Sequence, residues 1–149
     1  MAQGRLRVTV VEAAKLTDKD KTDFNDPYVE LYIDEKKKHK TRTLQDAERP
    51  VWNETFDLYV SECLVLAIRT GDVCTLFSDL WPSHEYLYIN LFDEDEGKKD
   101  DRIGSTKVSL DKVIEKGQVD EWIKLPGFLG FGSNGDLRIR MSFTKGTTD

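Results

Sequence analysis

Eight short segments of this chain show the alternation of apolar and polar residues that is typical of half-buried β-strands. In the first of them, Leu6, Val8 and Val10 alternate with Arg7 and Thr9. Short strands at this spacing, separated by Gly, Pro and Asp, predict an all-β protein built as an antiparallel sandwich or barrel. The predicted strands cover residues 6–10, 28–33, 39–44, 55–60, 86–92, 103–110, 121–125 and 136–143.

One segment has a helical pattern instead. Residues 109–116 begin with Ser109, a residue type that caps helices, and they place Leu110, Val113 and Ile114 on one side. The pattern predicts one short helix between the sixth and seventh strands.

Length and composition narrow the class of protein. The 149 residues suit a single domain over 1–149. The 22 basic and 28 acidic residues give a net charge of −6, which argues against non-specific nucleic-acid binding. The sequence has no apolar run near the roughly 18 residues of a membrane span. Two cysteines, Cys63 and Cys74, are too few for a disulfide framework, so we expect a cytoplasmic protein.

Residues 61–84 differ from the rest of the chain because they hold both cysteines and only four charged residues. The segment interrupts an otherwise compact connection between two strands, which predicts an atypical apolar insertion. Three interpretations remain open: a loop that folds back on the sandwich, a patch that binds a protein partner, or sequence included by a read-through error.

Carboxylates crowd two turns, at residues 18–26 and 93–101. If five of them met about 5 Å apart, each pair would cost about 3 kcal/mol at an effective dielectric constant of about 20. Such a cluster requires cations, and oxygen ligands from loops favour calcium over zinc or copper. Neither turn has the spacing of an EF-hand. The alternative is a pair of solvated acidic turns.

Four motifs carry a family resemblance. They are Thr-Asp-Phe-Asn-Asp-Pro-Tyr-Val at 22–29, Arg-Pro-Val-Trp-Asn-Glu-Thr-Phe at 49–56, Phe-Asp-Glu-Asp at 92–95 and Asp-Asp-Arg-Ile-Gly at 100–104. In this order they resemble the C2 domain, a calcium- and phospholipid-binding module, over residues 5–143 apart from 61–84. The resemblance implies an eight-stranded antiparallel Greek-key sandwich with three loops at one end. The order of segments is similar to the permuted (type II) topology of phospholipase C and the novel protein kinases C.

The resemblance also implies the metal ligands, residue by residue. The family's two acidic positions in the first loop match Asp20 and Asp26, and the three in the third loop match Asp93, Asp95 and Asp101. The family's backbone carbonyl ligands correspond to Lys19 and Glu94. Three further carboxylates, Asp18, Asp23 and Asp100, lie outside the pattern. Arg49 departs from the family, which commonly has Asn there.

Five cations lie within residues 36–42. Similarity to the family's basic strand implies a phosphoinositide headgroup site made by Lys38, Lys40 and Arg42, with Tyr28 and Phe92 beside it. For Lys36 and Lys37 we favour a solvated strand edge. At about 1 kcal/mol per basic residue, this patch alone would bind an anionic membrane weakly.

Three residues of the acidic turns are candidates for membrane contact. Phe24 is either a membrane-inserting side chain or a packing residue at the base of its loop. Lys98 and Lys99 would meet lipid headgroups beside it.

Together these features predict calcium-dependent, peripheral binding to anionic membranes containing phosphatidylserine or phosphoinositides. The alternative is a protein-interaction adaptor that uses the apolar 61–84 segment. An enzyme is not expected, because His39 and His84 have no recognisable Ser or Cys motif beside them and no Gly-rich phosphate loop is present.

Overall fold

The predicted all-β fold is confirmed. A computed structural model describes residues 3–17, 24–61 and 86–146 of the chain. These residues form one α-helix, α1 (Asp111–Lys116), a short 3-10 turn at Phe128–Gly130, and eight strands. The strands are β1 (Gln3–Ala14), β2 (Pro27–Tyr32), β3 (His39–Lys40), β4 (Val51–Ser61), β5 (Tyr86–Asp93), β6 (Asp101–Ser109), β7 (Gln118–Pro126) and β8 (Ser133–Lys145).

The strands form two antiparallel sheets that pack as a sandwich. The first sheet has the order β4-β1-β8-β7 and the second sheet has the order β3-β2-β5-β6. The assignment to the permuted topology stays a prediction. The proposed insertion, apart from Ser61, lies outside the described residues, as do Lys19 and Asp20.

The core lies between the sheets and follows the period-two pattern of the sequence. Leu6, Val8 and Val10 of β1 are fully buried, and so are Val29 and Leu31 of β2. Successive side chains of a strand point to opposite faces, so the polar residues between them face outward.

Strand pairing determines which connections meet. In the first sheet, Glu12 pairs with Val51 and Ala14 pairs with Asp136. The ends of β1, β5 and β7 and the beginnings of β2, β4, β6 and β8 therefore lie at one end of the sandwich, which we call the loop end. Ser61, the first residue of the proposed insertion, and Tyr86, the first described residue after it, lie at the opposite end.

Strand β3 is shorter than the predicted 39–44. The Thr41 hydroxyl oxygen accepts a hydrogen bond from the backbone N–H of Val29 at 2.9 Å. A side chain thus takes the place of a backbone carbonyl, and the regular ladder ends at Lys40.

The predicted helix is also shorter by two residues, and Ser109 is not its cap. Leu110 occupies the N-cap position, and no side chain caps it. The Ser109 hydroxyl oxygen still accepts a bond from the backbone N–H of Asp111 at 3.3 Å. Leu110, Val113 and Ile114 are buried, as the pattern predicts. At six residues, α1 is far too short to cross a bilayer, and no other described helix is long and apolar enough.

Candidate metal and membrane site

Strand register brings the two acidic turns together at the loop end, which the sequence spacing alone does not establish. Asp93, the last residue of β5, pairs with Pro27 of β2 on one side and with Asp101 of β6 on the other. Asp26 immediately precedes β2, so Asp26, Asp93 and Asp101 lie on three adjacent strand ends. With Asp95 they form what we call the acidic cluster.

Backbone hydrogen bonds fix the base of the acidic cluster. The N–H of Asp26 donates to Asp93 Oδ1 at 2.7 Å, and the N–H of Glu94 donates to the Asp26 carbonyl at 3.0 Å. The N–H of Asp46, in the connection between β3 and β4, donates to Asp26 Oδ1 at 2.8 Å. Three loops are therefore joined through Asp26.

Like charges act on one another in this cluster. Burial raises the pKa of Asp93 above the ordinary carboxyl value, and the charges of Asp95, Asp26 and Asp101 raise it further. The hydrogen bond from the Asp26 N–H partly offsets this shift. The surroundings therefore disfavour the ionised form of Asp93, and a bound cation would favour that form instead.

The carboxylate of Asp95 also lacks a compensating contact within the three described ranges. Its Oδ2 atom is buried and has no hydrogen-bond partner among the residues that the structure describes. A buried carboxylate oxygen without a partner is costly, and a hard cation is a suitable partner for it. The all-oxygen ligand set also fits calcium.

The described acidic side chains do not yet form a closed cage. Among residues 3–17, 24–61 and 86–146, no group of three or more His, Cys, Asp or Glu side chains is gathered tightly enough to hold an ion. Two of the predicted ligands, Asp20 and the Lys19 carbonyl, belong to the part of the first loop outside these ranges. The four described carboxylates therefore lie on neighbouring strand ends without enclosing a position for an ion, and the predicted site would also need ligands from the first loop.

Asp100 lies outside the ligand pattern of the sequence, but the structure gives it a role that the motifs do not predict. Its Oδ2 accepts a hydrogen bond from the Tyr28 hydroxyl, and its Oδ1 accepts one from the Asp95 N–H at 3.1 Å. These bonds and the nearby Lys40 lower the pKa of Asp100, whereas burial and the Asp100 bond raise the pKa of Tyr28. Asp100 therefore links the acidic cluster to Tyr28 and Lys40 on the outer face of the second sheet, and no motif predicts this role.

The outer face of the second sheet, with Lys38 and Lys40 over the rings of Tyr32 and Tyr28, is what we call the basic face. Tyr28 and Phe92 are paired across β2 and β5, and their rings stack with centroids 5.3 Å apart. The Lys40 ammonium lies 3.9 Å from the centre of the Tyr28 ring. Lys38 lies 5.1 Å from the Tyr32 ring and forms an ion pair with Glu30 at 3.7 Å.

The remaining predicted lipid contacts have different surroundings. Arg42 falls within the predicted strand 39–44 but lies beyond the observed β3, and its guanidinium donates to the Trp52 carbonyl of β4 at 3.2 Å. Phe24 is 47% exposed at the end of the first loop. Lys98 and Lys99 are exposed in the connection between β5 and β6.

Comparison with known proteins agrees with this geometry. The family model described as the C2 domain matches residues 4–125. Synaptotagmin-4 of Arabidopsis thaliana is 30% identical over 145 residues, covering 97% of this chain and 21% of that protein. A calcium-dependent lipid-binding protein of the same plant is 31% identical over 111 residues, covering 74% of this chain and 18% of that protein.

A solved structure gives the same fold. The C2A and C2B domains of extended synaptotagmin 2, in a calcium-bound structure, match with a TM-score of 0.73 and 26% identity over 97% of this chain and 47% of that chain. The chain spans about a fifth of the length of the two plant relatives.

Proposed function

Because this chain belongs to the C2 domain family, we propose that it binds calcium at the acidic cluster and thereby docks on anionic phospholipid membranes. Asp20, Asp26, Asp93, Asp95 and Asp101 would supply the carboxylate ligands. Lys19 and Glu94 would supply backbone carbonyls. When bound, calcium supplies positive charge and open coordination positions for lipid phosphate oxygens.

The observation that carries this proposal is the buried Asp95 Oδ2, which has no hydrogen-bond partner in the described part of the chain. Beside it, burial and neighbouring carboxylates raise the pKa of Asp93. A cluster built for stability alone would pair its carboxylates with Lys or Arg. Here three loops are held together by backbone bonds to Asp26 and Asp93, which leaves carboxylate oxygens to be satisfied from outside.

The basic face would contribute lipid selectivity. Lys38, Lys40 and Arg42, with Tyr28 and Phe92, would contact the phosphates of phosphoinositide headgroups. Lys40 suits this role because its ammonium group lies over the Tyr28 ring, with the Asp100 carboxylate nearby. The ring attracts the cation without cancelling its net charge, so the cation can still attract phosphate.

Membrane contact at the loop end would involve Phe24, Lys98 and Lys99. Phe24 would enter the headgroup region, and the two lysines would lie among the headgroups beside it. The chain would act as a non-enzymatic, peripheral membrane module in the cytoplasm. The alternative is an adaptor that acts through residues 61–84 and would leave the acidic cluster free, because Ser61 and Tyr86 lie opposite the loop end.

Co-sedimentation with vesicles tests the proposal. Wild-type protein should bind phosphatidylserine vesicles in calcium and not in chelator, whereas Asp93→Asn/Asp95→Asn should not bind in either condition. The matched control, Asp57→Asn/Asp120→Asn, removes two carboxylates from the first sheet and should bind as wild type does. Adding phosphoinositide should strengthen wild-type binding but not that of Lys38→Gln/Lys40→Gln.

Three results would contradict parts of the proposal. Equal wild-type binding in chelator would mean that the basic face dominates and that the acidic cluster is not a switch. Calcium-dependent binding by Asp93→Asn/Asp95→Asn would place the ion elsewhere. No wild-type binding in either condition would favour the adaptor.

A further inference from the structure

The connection between β7 and β8 carries solvent-exposed apolar side chains. Leu129 is 78% exposed and Phe131 is 81% exposed, more than any other large hydrophobic side chain that the structure describes. Residues 126–135 contain no charged side chain. We call residues 127–132 the apolar loop. Exposed hydrophobic residues grouped in this way mark an interaction surface.

The apolar loop is held in a defined shape. Its ends are joined by a bond from the Gly127 N–H to the Gly132 carbonyl at 3.3 Å, and the Gly130 N–H donates to the Gly127 carbonyl at 3.0 Å. Leu129 has a positive φ of 53°, a backbone conformation that residues other than glycine rarely adopt. Because the backbone is already held by these bonds, the loop would lose little backbone freedom on contact with a partner.

The position of the apolar loop indicates which partner. It lies at the loop end, and the Thr17 N–H at the start of the first loop donates to the Asn134 carbonyl at 3.0 Å. Gly104 of β6 packs closely against Leu125 and Asn134. A Cβ atom at position 104 would lie 3.0 Å from Leu125 Cβ and 3.6 Å from Asn134 Cβ. The base of the apolar loop therefore packs beside the strand that follows the acidic cluster.

We propose that the apolar loop inserts Leu129 and Phe131 into the bilayer, as a fourth membrane contact beside the three loops joined at the acidic cluster. This inference rests on the proposed membrane function. A loop without charges can enter the boundary between headgroups and acyl chains without desolvating an ion. Calcium and lysines would then supply salt-sensitive attraction, and the apolar loop would supply salt-insensitive anchoring.

Vesicle affinity in calcium tests the insertion. On vesicles of phosphatidylcholine and phosphatidylserine in equal amounts, Phe131→Ser should weaken binding about tenfold, and Leu129→Asn/Phe131→Ser about a hundredfold. Asn is chosen at 129 because it tolerates a positive φ. In about 1 M sodium chloride, where the Debye length is about 3 Å, the double variant should lose a larger share of its binding than wild type.

The matched control is Tyr59→Ser. Tyr59 is 66% exposed and pairs with Arg5, near the opposite end of the sandwich, so its loss should leave vesicle affinity unchanged. The apolar-loop variants should also keep the calcium affinity of wild type without vesicles. If wild type binds but the double variant binds equally well, the insertion is wrong and the calcium mechanism stands; if wild type does not bind, the calcium mechanism itself fails.

A depth probe separates insertion from other roles of the same residues. An environment-sensitive fluorophore on Phe131→Cys, in a Cys63→Ser/Cys74→Ser background, should shift to the blue with vesicles and calcium and be quenched by lipids brominated on the acyl chain. An unshifted spectrum would overturn the insertion. So would unchanged vesicle affinity together with a double variant that is monomeric where wild type is a dimer, since that result would assign the loop to a second copy of the chain.

Discussion

The outer face of the first sheet and the acidic cluster arrange charge in opposite ways. On the first sheet, Asp120 accepts bonds from Arg138 at 3.0 and 3.1 Å and from Arg140 at 3.4 Å. The hydrogen bonds from Arg138 and the charges of both arginines lower the pKa of Asp120. In the acidic cluster, burial and neighbouring carboxylates raise the pKa of Asp93.

On the first sheet, each charge of Asp120 and the arginines is paired within the protein, whereas the acidic cluster, as proposed, requires a cation from outside. The ionised form of Asp120 is stabilised by the folded protein, so its charge supports the fold. The ionised form of Asp93 is disfavoured by the folded protein, so its charge opposes the fold until a cation arrives. The same residue type therefore serves stability in one region and binding in the other.

The largest predicted difference between the two regions is the rise in Tm that calcium causes. At a hundredfold excess over its Kd, a ligand stabilises the folded state by about 2.7 kcal/mol. For a domain of this size, we expect Tm to rise by about 5–10 °C. Asp93→Asn/Asp95→Asn should show no rise, as measured by thermal melts with calcium and with chelator.

The first sheet supplies the control for this measurement. Asp57→Asn/Asp120→Asn should keep the calcium-induced rise in Tm, although its baseline Tm is lower. A rise in both variants would show that calcium binds outside the acidic cluster, and a loss in both would indicate a general effect of negative charge.

The paired face should show a smaller effect with a characteristic pH dependence. Asp120→Asn should lower Tm by about 1–3 °C at pH 7, because exposed ion pairs contribute modestly. Since folding lowers the pKa of Asp120 below its ordinary 3.8, its stabilisation is present above that value and is lost as pH falls through the lowered pKa. The Tm difference should therefore vanish in acid; a difference that persists there would assign the loss to packing.

The fold was predictable because it depends on local pattern. Alternation at Leu6, Val8 and Val10 predicts buried positions in a strand, and these residues are fully buried. The shortened β3 was not predictable, because it depends on a bond between the Thr41 hydroxyl and Val29 on another strand. Likewise, the helix begins after Leu110 rather than after Ser109. The capping preference of serine alone does not predict this start.

The candidate site was predictable as a set of residue types but not as a network. Motif spacing selects Asp26 and Asp93, yet their apposition depends on the register of β2, β5 and β6. The motifs place Asp100 outside the ligand pattern and do not predict its role, because that role depends on the Tyr28 hydroxyl, 72 residues earlier in the chain. The apolar loop was missed because Leu129 and Phe131 resemble core residues until the exposure of their side chains is known.

The smallest predicted effect has the opposite sign to that of Asp120. Because folding raises the pKa of Asp93, the folded protein holds the Asp93 proton more tightly than the unfolded chain does, and stability is lost as pH rises through that raised pKa. In chelator at pH 7, Asp93→Asn should therefore raise Tm, by about 1–2 °C for a partly exposed group. The Asn Oδ1 can still accept the Asp26 N–H, so the loop contact is retained. Thermal melts in chelator should show this gain shrinking toward pH 3; a lower Tm in the variant at pH 7 would mean that Asp93 supports the fold as Asp120 does, and that the acidic cluster is not held under repulsion.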